Sequence, residues 1–145
     1  MTDFNRIDRN RRVAEEFIWG THTGNLDVID RTVADTLVCH GFPGGNPTDR
    51  ESYKAWFASF GSGFSNMGFE VLSTVADEEK VAMRWRVSVD HTGPFAGVDA
   101  TGKRVVFDGM VLYRIDDSGR IAETWLHINE LSLLGQVGAL MPLAA

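Results

Sequence analysis

His91-Thr92-Gly93-Pro94-Phe95-Ala96-Gly97 leads through Thr101-Gly102-Lys103 into Val105-Val106-Phe107-Asp108-Gly109-Met110-Val111-Leu112-Tyr113-Arg114-Ile115. A turn at Asp116-Asp117-Ser118-Gly119 then opens Ile121-Ala122-Glu123-Thr124-Trp125-Leu126-His127-Ile128-Asn129. Two alternating runs joined by a Gly-bearing turn predict a β-hairpin, in which successive side chains fall on opposite faces. Glu123, Trp125, His127 and Asn129 are expected to share one of those faces, and a histidine among aromatic neighbours suggests a pocket wall.

Working outward, Val81, Met83, Trp85, Val87 and Val89 alternate with Ala82, Arg84, Arg86, Ser88 and Asp90, the pattern of a half-buried strand in a meander. Phe69 to Ala76 forms the preceding strand, turned at Asp77-Glu78-Glu79-Lys80. Upstream the period becomes helical. Val13, Ala14, Phe17 and Ile18 predict a first helix from Asp8 to about Thr21, ended by Gly20 and Gly24, and Leu26, Ile29 and Val33 predict a second to Ala34. Leu37 to His40 reads as a short strand and Gly41 to Asn46 as a loop. Thr48 or Asp49 caps a third helix through Ser59 or Phe60. Helices first and strands afterwards predict an α+β domain in which helices cover one side of a curved, mostly antiparallel sheet and enclose one pocket.

The length of 145 residues suits one domain spanning 1–145. Hydrophobic residues at 43% and charged residues at 23% lie in the globular range. A net charge of −6 opposes binding to phosphate backbones, and Arg9-Asn10-Arg11-Arg12 reads as a solvated helix face, so no nucleic-acid partner is expected. No apolar run approaches the roughly 20 residues of a membrane span, and Met1 to Arg12 lacks the apolar core of a signal peptide. The expectation is a cytoplasmic protein with no membrane partner. The lone Cys39 reads as a small core residue.

In order along the chain, His-Thr-Gly-x-Phe-x-Gly at 91–97, Thr-Gly-Lys at 101–103, Gly-x-x-x-Tyr-Arg-Ile at 109–115, Arg-Ile-x-Glu-x-Trp at 120–125 and Leu-Leu-x-Gln-Val-Gly at 133–138 resemble the SnoaL-like polyketide cyclases, a branch of the NTF2-like superfamily. The resemblance implies a cone-shaped fold with a pocket open at its wide end, and an acid/base reaction on a carbonyl-bearing molecule. Relatives carry an aspartate at the fourth position after the tryptophan, where this chain has Asn129. An amide exchanges no proton at neutral pH but still donates a hydrogen bond.

The four histidines are the side chains whose ordinary pKa lies near neutrality. His127 is the expected proton carrier, with Asn129 donating to a developing enolate or alkoxide and His91 or His40 supplying a second transfer. The plain structural alternative for His127 is a core histidine satisfied by a carbonyl, and for His91 a residue that orients its loop. His22 reads as solvated in the turn after the first helix. Trp19, Trp85, Trp125, Phe95 and Tyr113 are expected to shape a pocket for a small hydrophobic or aromatic substrate. Arg84 and Arg86 read as a surface ladder paired with Glu70 or Asp108.

No His-x-His or second cysteine suggests a metal site, and no Gly-rich strand-to-helix turn suggests a nucleotide or flavin, so no cofactor is expected. The reading is a cofactor-independent enzyme of the aldol cyclase type. Dehydration, isomerisation or cofactor-free oxygenation in the same pocket are the other enzymatic readings, and a non-catalytic binding domain is the remaining one. The apolar alternation of Val81–Val89 and Val105–Ile115 suggests a homodimer formed through the sheet's outer face. The segment Leu131–Leu143 is expected to close the pocket mouth or cross to a neighbour.

Overall fold

The computed structural model describes residues 1–140 of the chain. In order these form α1 (Phe4–His22), α2 (Val28–Thr32), β1 (Val33–His40), α3 (Arg50–Gly61), β2 (Phe64–Ala76), β3 (Lys80–His91), β4 (Arg104–Ile115), β5 (Ile121–Ile128) and α4 (Glu130–Val137). Among the described residues the strands make one sheet in the order β1-β5-β4-β3-β2. β1 runs parallel to β5, and every other pairing is antiparallel. This is the expected α+β fold with a curved, mostly antiparallel sheet under N-terminal helices.

The Asp3 side chain accepts from the Arg6 N–H and starts α1, four residues earlier than the apolar period suggested. Its first turn adds no buried side chain, so periodicity could not register it. Arg6 pairs with Asp117, and Arg9 donates to the Asp116 and Asp117 carbonyls. Those contacts tie the helix start to the β4–β5 turn, and Asn10, fully buried, donates to the Asp77 carbonyl. Farther along, Ala14, Phe17, Ile18 and Thr21 face the sheet.

α2 is shorter than expected because Thr32-Val33-Ala34 passes directly into β1. β-branched residues in succession favour the extended chain there. β2 begins five residues before the alternation becomes visible, since the pairing register slips between Ser65 and Gly68 and Asn66 adopts φ 54°. A bulge breaks the two-residue period that would have announced the strand.

On β3, Val81, Met83, Trp85, Val87 and Val89 are buried, and on β4 Val105, Phe107, Val111, Tyr113 and Ile115 are. The helices cover this face. The opposite face carries Arg86–Glu70 at 3.1 Å, Arg84–Asp108 at 3.9 Å and Arg104–Asp90 at 3.1 Å, the surface ladder read from the sequence. The apolar alternation of Val81–Val89 and Val105–Ile115 is therefore the inner wall, covered by the helices, and not the outer face through which the sequence suggests a homodimer.

Asn129 caps α4 by accepting from the Ser132 N–H. Gln136 then accepts from the Val106 N–H at 3.0 Å and donates to the Val106 carbonyl at 2.7 Å, so its amide continues the β4 ladder beyond the end of β5. Leu133 and Val137 are buried. α4 lies against β4 and does not line the cavity described below. Of the segment expected to close the mouth or cross to a neighbour, residues 141–143 lie outside the described part.

Candidate active site

Between α1, α3 and the inner sheet face lies a cavity of about 720 Å³. That is ample for a drug-sized molecule. α3 contributes Tyr53, Trp56, Phe57 and Phe60 at helical spacing, so one face of the helix is aromatic over two turns. Tyr53 stacks on Phe57 at 5.4 Å and Trp56 on Phe60 at 5.1 Å. A capping box between Asp49 and Ser52 fixes the start of this helix. The Trp56 indole donates to the Pro43 carbonyl at 2.9 Å and closes the side of the loop after β1.

The sheet contributes Trp85, Val87 and Val89 from β3, Phe107, Val111 and Tyr113 from β4, and Leu126 and Ile128 from β5. Trp85 lies where it does because Gly109 is its cross-strand neighbour. A Cβ at Gly109 would stand 2.3 Å from Trp85 Cζ2 and 2.7 Å from the His127 carbonyl oxygen. Exposed Thr23, Gly24, Ser62 and Met67 mark the open side, between the end of α1 and the start of β2. No Asp, Glu, Lys or Arg is among the described residues of the lining. Such a wall suits an uncharged ligand.

His22 is the histidine of this wall. It occupies the last turn of α1 and lies 2.8 Å from the Ile18 carbonyl through Nδ1. A carbonyl can only accept, so Nδ1 carries the proton and Nε2 keeps a lone pair. Among the described residues Nε2 has no hydrogen-bond partner. The ring stacks on Phe69 at 4.2 Å and 18°, with Phe57 edge-on at 5.7 Å and Trp85 at 6.1 Å. Burial among these rings pushes the His22 pKa down to about 4, against a smaller opposing effect of the Ile18 hydrogen bond. At neutral pH the side chain is a neutral proton acceptor. The solvated reading of His22 is thus corrected: helix α1 extends through residue 22, and Phe69 on β2 lies over the ring.

The residues singled out from the sequence are distributed differently. Trp85 and Tyr113 line the cavity. His127 is exposed on the outer face of β5, alternating with the inward Leu126 and Ile128. Glu123, Trp125 and His127 do share a face, but the helices cover the other one. Asn129 has left the strand and is spent on capping α4 and on a 3.3 Å contact with Asp108. The expectation that His127 and Asn129 face the pocket is therefore corrected.

His40 also lies on the outer face, stacked on Trp125 at 5.2 Å and 13° and bonded to Glu123 at 2.8 Å. That hydrogen bond, followed by one from Arg114, holds the Glu123 carboxyl below its ordinary range. His91 is fully buried, with Nδ1 accepting from the Thr101 N–H and 2.9 Å from the Thr101 hydroxyl, while its backbone pairs with Gly102 and Lys103. It anchors the β3–β4 connection and does not line the cavity. Trp19 is largely exposed, edge-on to Phe69, and Phe95 packs behind the wall on Phe60 and Phe64. Neither lines the cavity, and nor does Trp125.

Cys39 is buried on β1, its thiol pushed up to about 12 by desolvation, as an unreactive core residue would be. No cluster of three His, Cys, Asp or Glu that could hold a metal ion occurs among the described residues. No described helix is long and apolar enough to cross a membrane.

An α+β arrangement whose helices and curved sheet enclose an uncharged aromatic cavity is an NTF2-like fold. The chain belongs to the SnoaL-like polyketide cyclase family, whose sequence profile matches residues 9–137. Its fold is similar to that of a candidate SnoaL-like polyketide cyclase from Jannaschia sp. CCS1, with a TM-score of 0.84, 19% identity and coverage of 98% of this chain and 99% of that one. AclR, a candidate hydroxylase from Streptomyces galilaeus, gives 0.80 at 25% identity, covering 95% and 86%. IdmH, a candidate polyketide cyclase from Streptomyces antibioticus, gives 0.77 at 24% identity, covering 89% and 98%. No curated protein matches the chain significantly.

Proposed function

We propose that the chain is an acid/base enzyme acting on a small, uncharged, carbonyl-bearing molecule held in the cavity, with His22 as the proton acceptor. The observation that carries this reading is a neutral imidazole in the cavity wall with Nδ1 committed to a carbonyl and Nε2 unengaged. In an aldol closure, Nε2 takes a proton from the carbon beside a carbonyl, the resulting enolate carbon attacks a second carbonyl, and the alkoxide so formed recovers the proton. His22 ends as it began. The low pKa is a resting value set by desolvation, and a developing enolate supplies the neighbouring negative charge that raises the ring's proton affinity along the reaction. Enclosure by aromatic walls holds a folded substrate in reactive geometry.

The family and its structural neighbours support a cyclase, while AclR, a candidate hydroxylase, supports hydroxylation as another reaction of this fold. Binding without turnover is the second reading, favoured by the lack of a carboxylate among the described lining residues. The test is hydrogen–deuterium exchange of the α-protons of 2-tetralone in D₂O, followed by NMR. The enzymatic reading expects acceleration over buffer, lowered roughly 10²-fold or more in His22→Phe with binding retained. Equal rates for the wild type and His22→Phe would remove His22 from the mechanism, and binding with no acceleration at all would leave the binding domain.

A further inference from the structure

The closed end of the cavity is not uniformly apolar. Tyr113 on β4 is the cross-strand partner of Thr124 on β5, and Thr124 is the partner of Cys39 on β1. All three point inward and are buried, so a row of side chains bearing O–H, O–H and S–H crosses the sheet. Tyr53 descends on that row from α3 and is itself buried. Phe17 touches both tyrosines, with ring centroids at 5.2 Å from Tyr53 and 5.4 Å from Tyr113. Both rings therefore flank a single phenyl group, and both line the cavity.

The polar groups of this row are under-used. The Thr124 Oγ1 is fully buried and closes no hydrogen bond of ordinary geometry, although it stands near enough to the Tyr53 hydroxyl to interact with it, and neither tyrosine hydroxyl makes any other hydrogen bond among the described residues. Buried polar groups are ordinarily paired, and leaving one unpaired costs about 1 to 3 kcal/mol. Valine at Thr124 would fill the same space without that cost, and the two tyrosine rings line the cavity, where a ligand can meet their hydroxyls. Burial raises the pKa of both tyrosines, Tyr113 and Cys39 further oppose ionisation of Tyr53 against a smaller effect of Thr124, and Cys39 opposes that of Tyr113, so both remain protonated donors at neutral pH.

We propose that Tyr53 and Tyr113 form an oxygen-recognition site at the closed end of the cavity, taking a carbonyl or hydroxyl oxygen of an uncharged ligand, with Thr124 positioning the Tyr53 hydroxyl from behind. A ligand entering between the end of α1 and the start of β2 passes His22 near the mouth and leads with its oxygen. The tyrosines donate, the ligand oxygen accepts, and the aromatic walls hold the carbon skeleton. Tyr53 and Tyr113 are thus specificity residues for an oxygenated over a hydrocarbon surface, while Thr124 is a positioning residue. This inference rests on the cavity being the ligand site, as in the proposed function.

The experiment compares the affinities of 2-tetralone and tetralin, which differ by one carbonyl oxygen, for the full chain by calorimetry. One neutral hydrogen bond corresponds to roughly tenfold in affinity. The wild type is expected to prefer the ketone by about tenfold, and Tyr53→Phe/Tyr113→Phe to bring the ratio near one by losing ketone affinity while keeping tetralin affinity. Thr124→Val is expected to lower the preference and Thr124→Ser to restore it, which a purely structural role would not do. Should the double variant fail to fold, each single Phe variant is read in the same way. A ratio unchanged by the Phe substitutions, or no ketone preference in a wild type that binds tetralin, overturns the recognition site and leaves the cavity reading standing. If the wild type binds neither compound, the cavity reading falls and this inference with it.

Discussion

Acidification exposes His22 through stability, independently of any substrate. In the unfolded chain the imidazole has its ordinary pKa of 6.5, while in the folded chain burial among Phe69, Phe57 and Trp85 lowers it to about 4. Between those values the unfolded state binds the proton and the folded state does not, so stability falls as pH falls. The group's contribution is complete above about pH 6.5 and is lost on the way down to about pH 4. The gap corresponds to about 3 kcal/mol. About 2.5 kcal/mol of it disappears between about pH 7.5 and pH 4.5, and water in the cavity lowers the expected value toward about 2 kcal/mol. Carboxylates such as Asp77 and Asp116, held below their ordinary range mainly by backbone N–H groups and the Ser118 hydroxyl, are not appreciably protonated at the lower pH. The clean quantity is therefore a difference between proteins: urea unfolding of the wild type and of His22→Phe, each at both pH values. His22→Phe is expected to lose about 2 kcal/mol less on acidification, and His22→Gln should behave similarly if phenylalanine disturbs the stack. Parallel losses in all three proteins would refute the buried, neutral state of His22.

Two further outcomes follow from the geometry. Gly109→Ala forces a methyl group against Trp85 Cζ2 and the His127 carbonyl, so it should destabilise the protein by about 1 to 3 kcal/mol, shift Trp85 emission and weaken ligand binding, all readable by fluorescence and chemical melts. Asn129→Ala removes the α4 cap and should cost about 1 kcal/mol in a urea melt while leaving 2-tetralone exchange unchanged. A large loss of exchange would return Asn129 to the chemistry.

The β3, β4 and β5 alternation was readable because each strand buries one face against helices, which selects for a two-residue period. The outer ladder of Arg84 and Arg86 with Asp108 and Glu70 came with it; the strand order and the parallel pairing of β1 with β5 did not. Alternation states which residues share a face, but not which face the helices cover. Trp125 and His127 therefore read as inward from the sequence, whereas Leu126 and Ile128 occupy the wall. The inward signal on β5 was Thr124-x-Leu126-x-Ile128, a run with little chemistry to draw the eye. His22 was missed for a different reason. It follows Gly20, which reads as a helix stop, yet Gly20 lies within α1, and it is glycine because a Cβ there would stand 2.6 Å from Val28. That glycine is required by the packing of α2 against α1. Its partner Phe69 opens the visible alternation, but alternation does not say which helix end the side chain meets. Tyr53 carried a weak signal, as the first of Tyr53, Trp56, Phe57 and Phe60 on one helical face, which reads equally as core.

The measurement that bears most directly on the account is the histidine side-chain NMR spectrum during titration with 2-tetralone. The His22 imidazole resonances are expected to move with ligand occupancy while those of His40 and His127 on the outer face stay in place. Movement of His127 or His40 with His22 unaffected would put the ligand on the other side of the sheet and contradict that expectation.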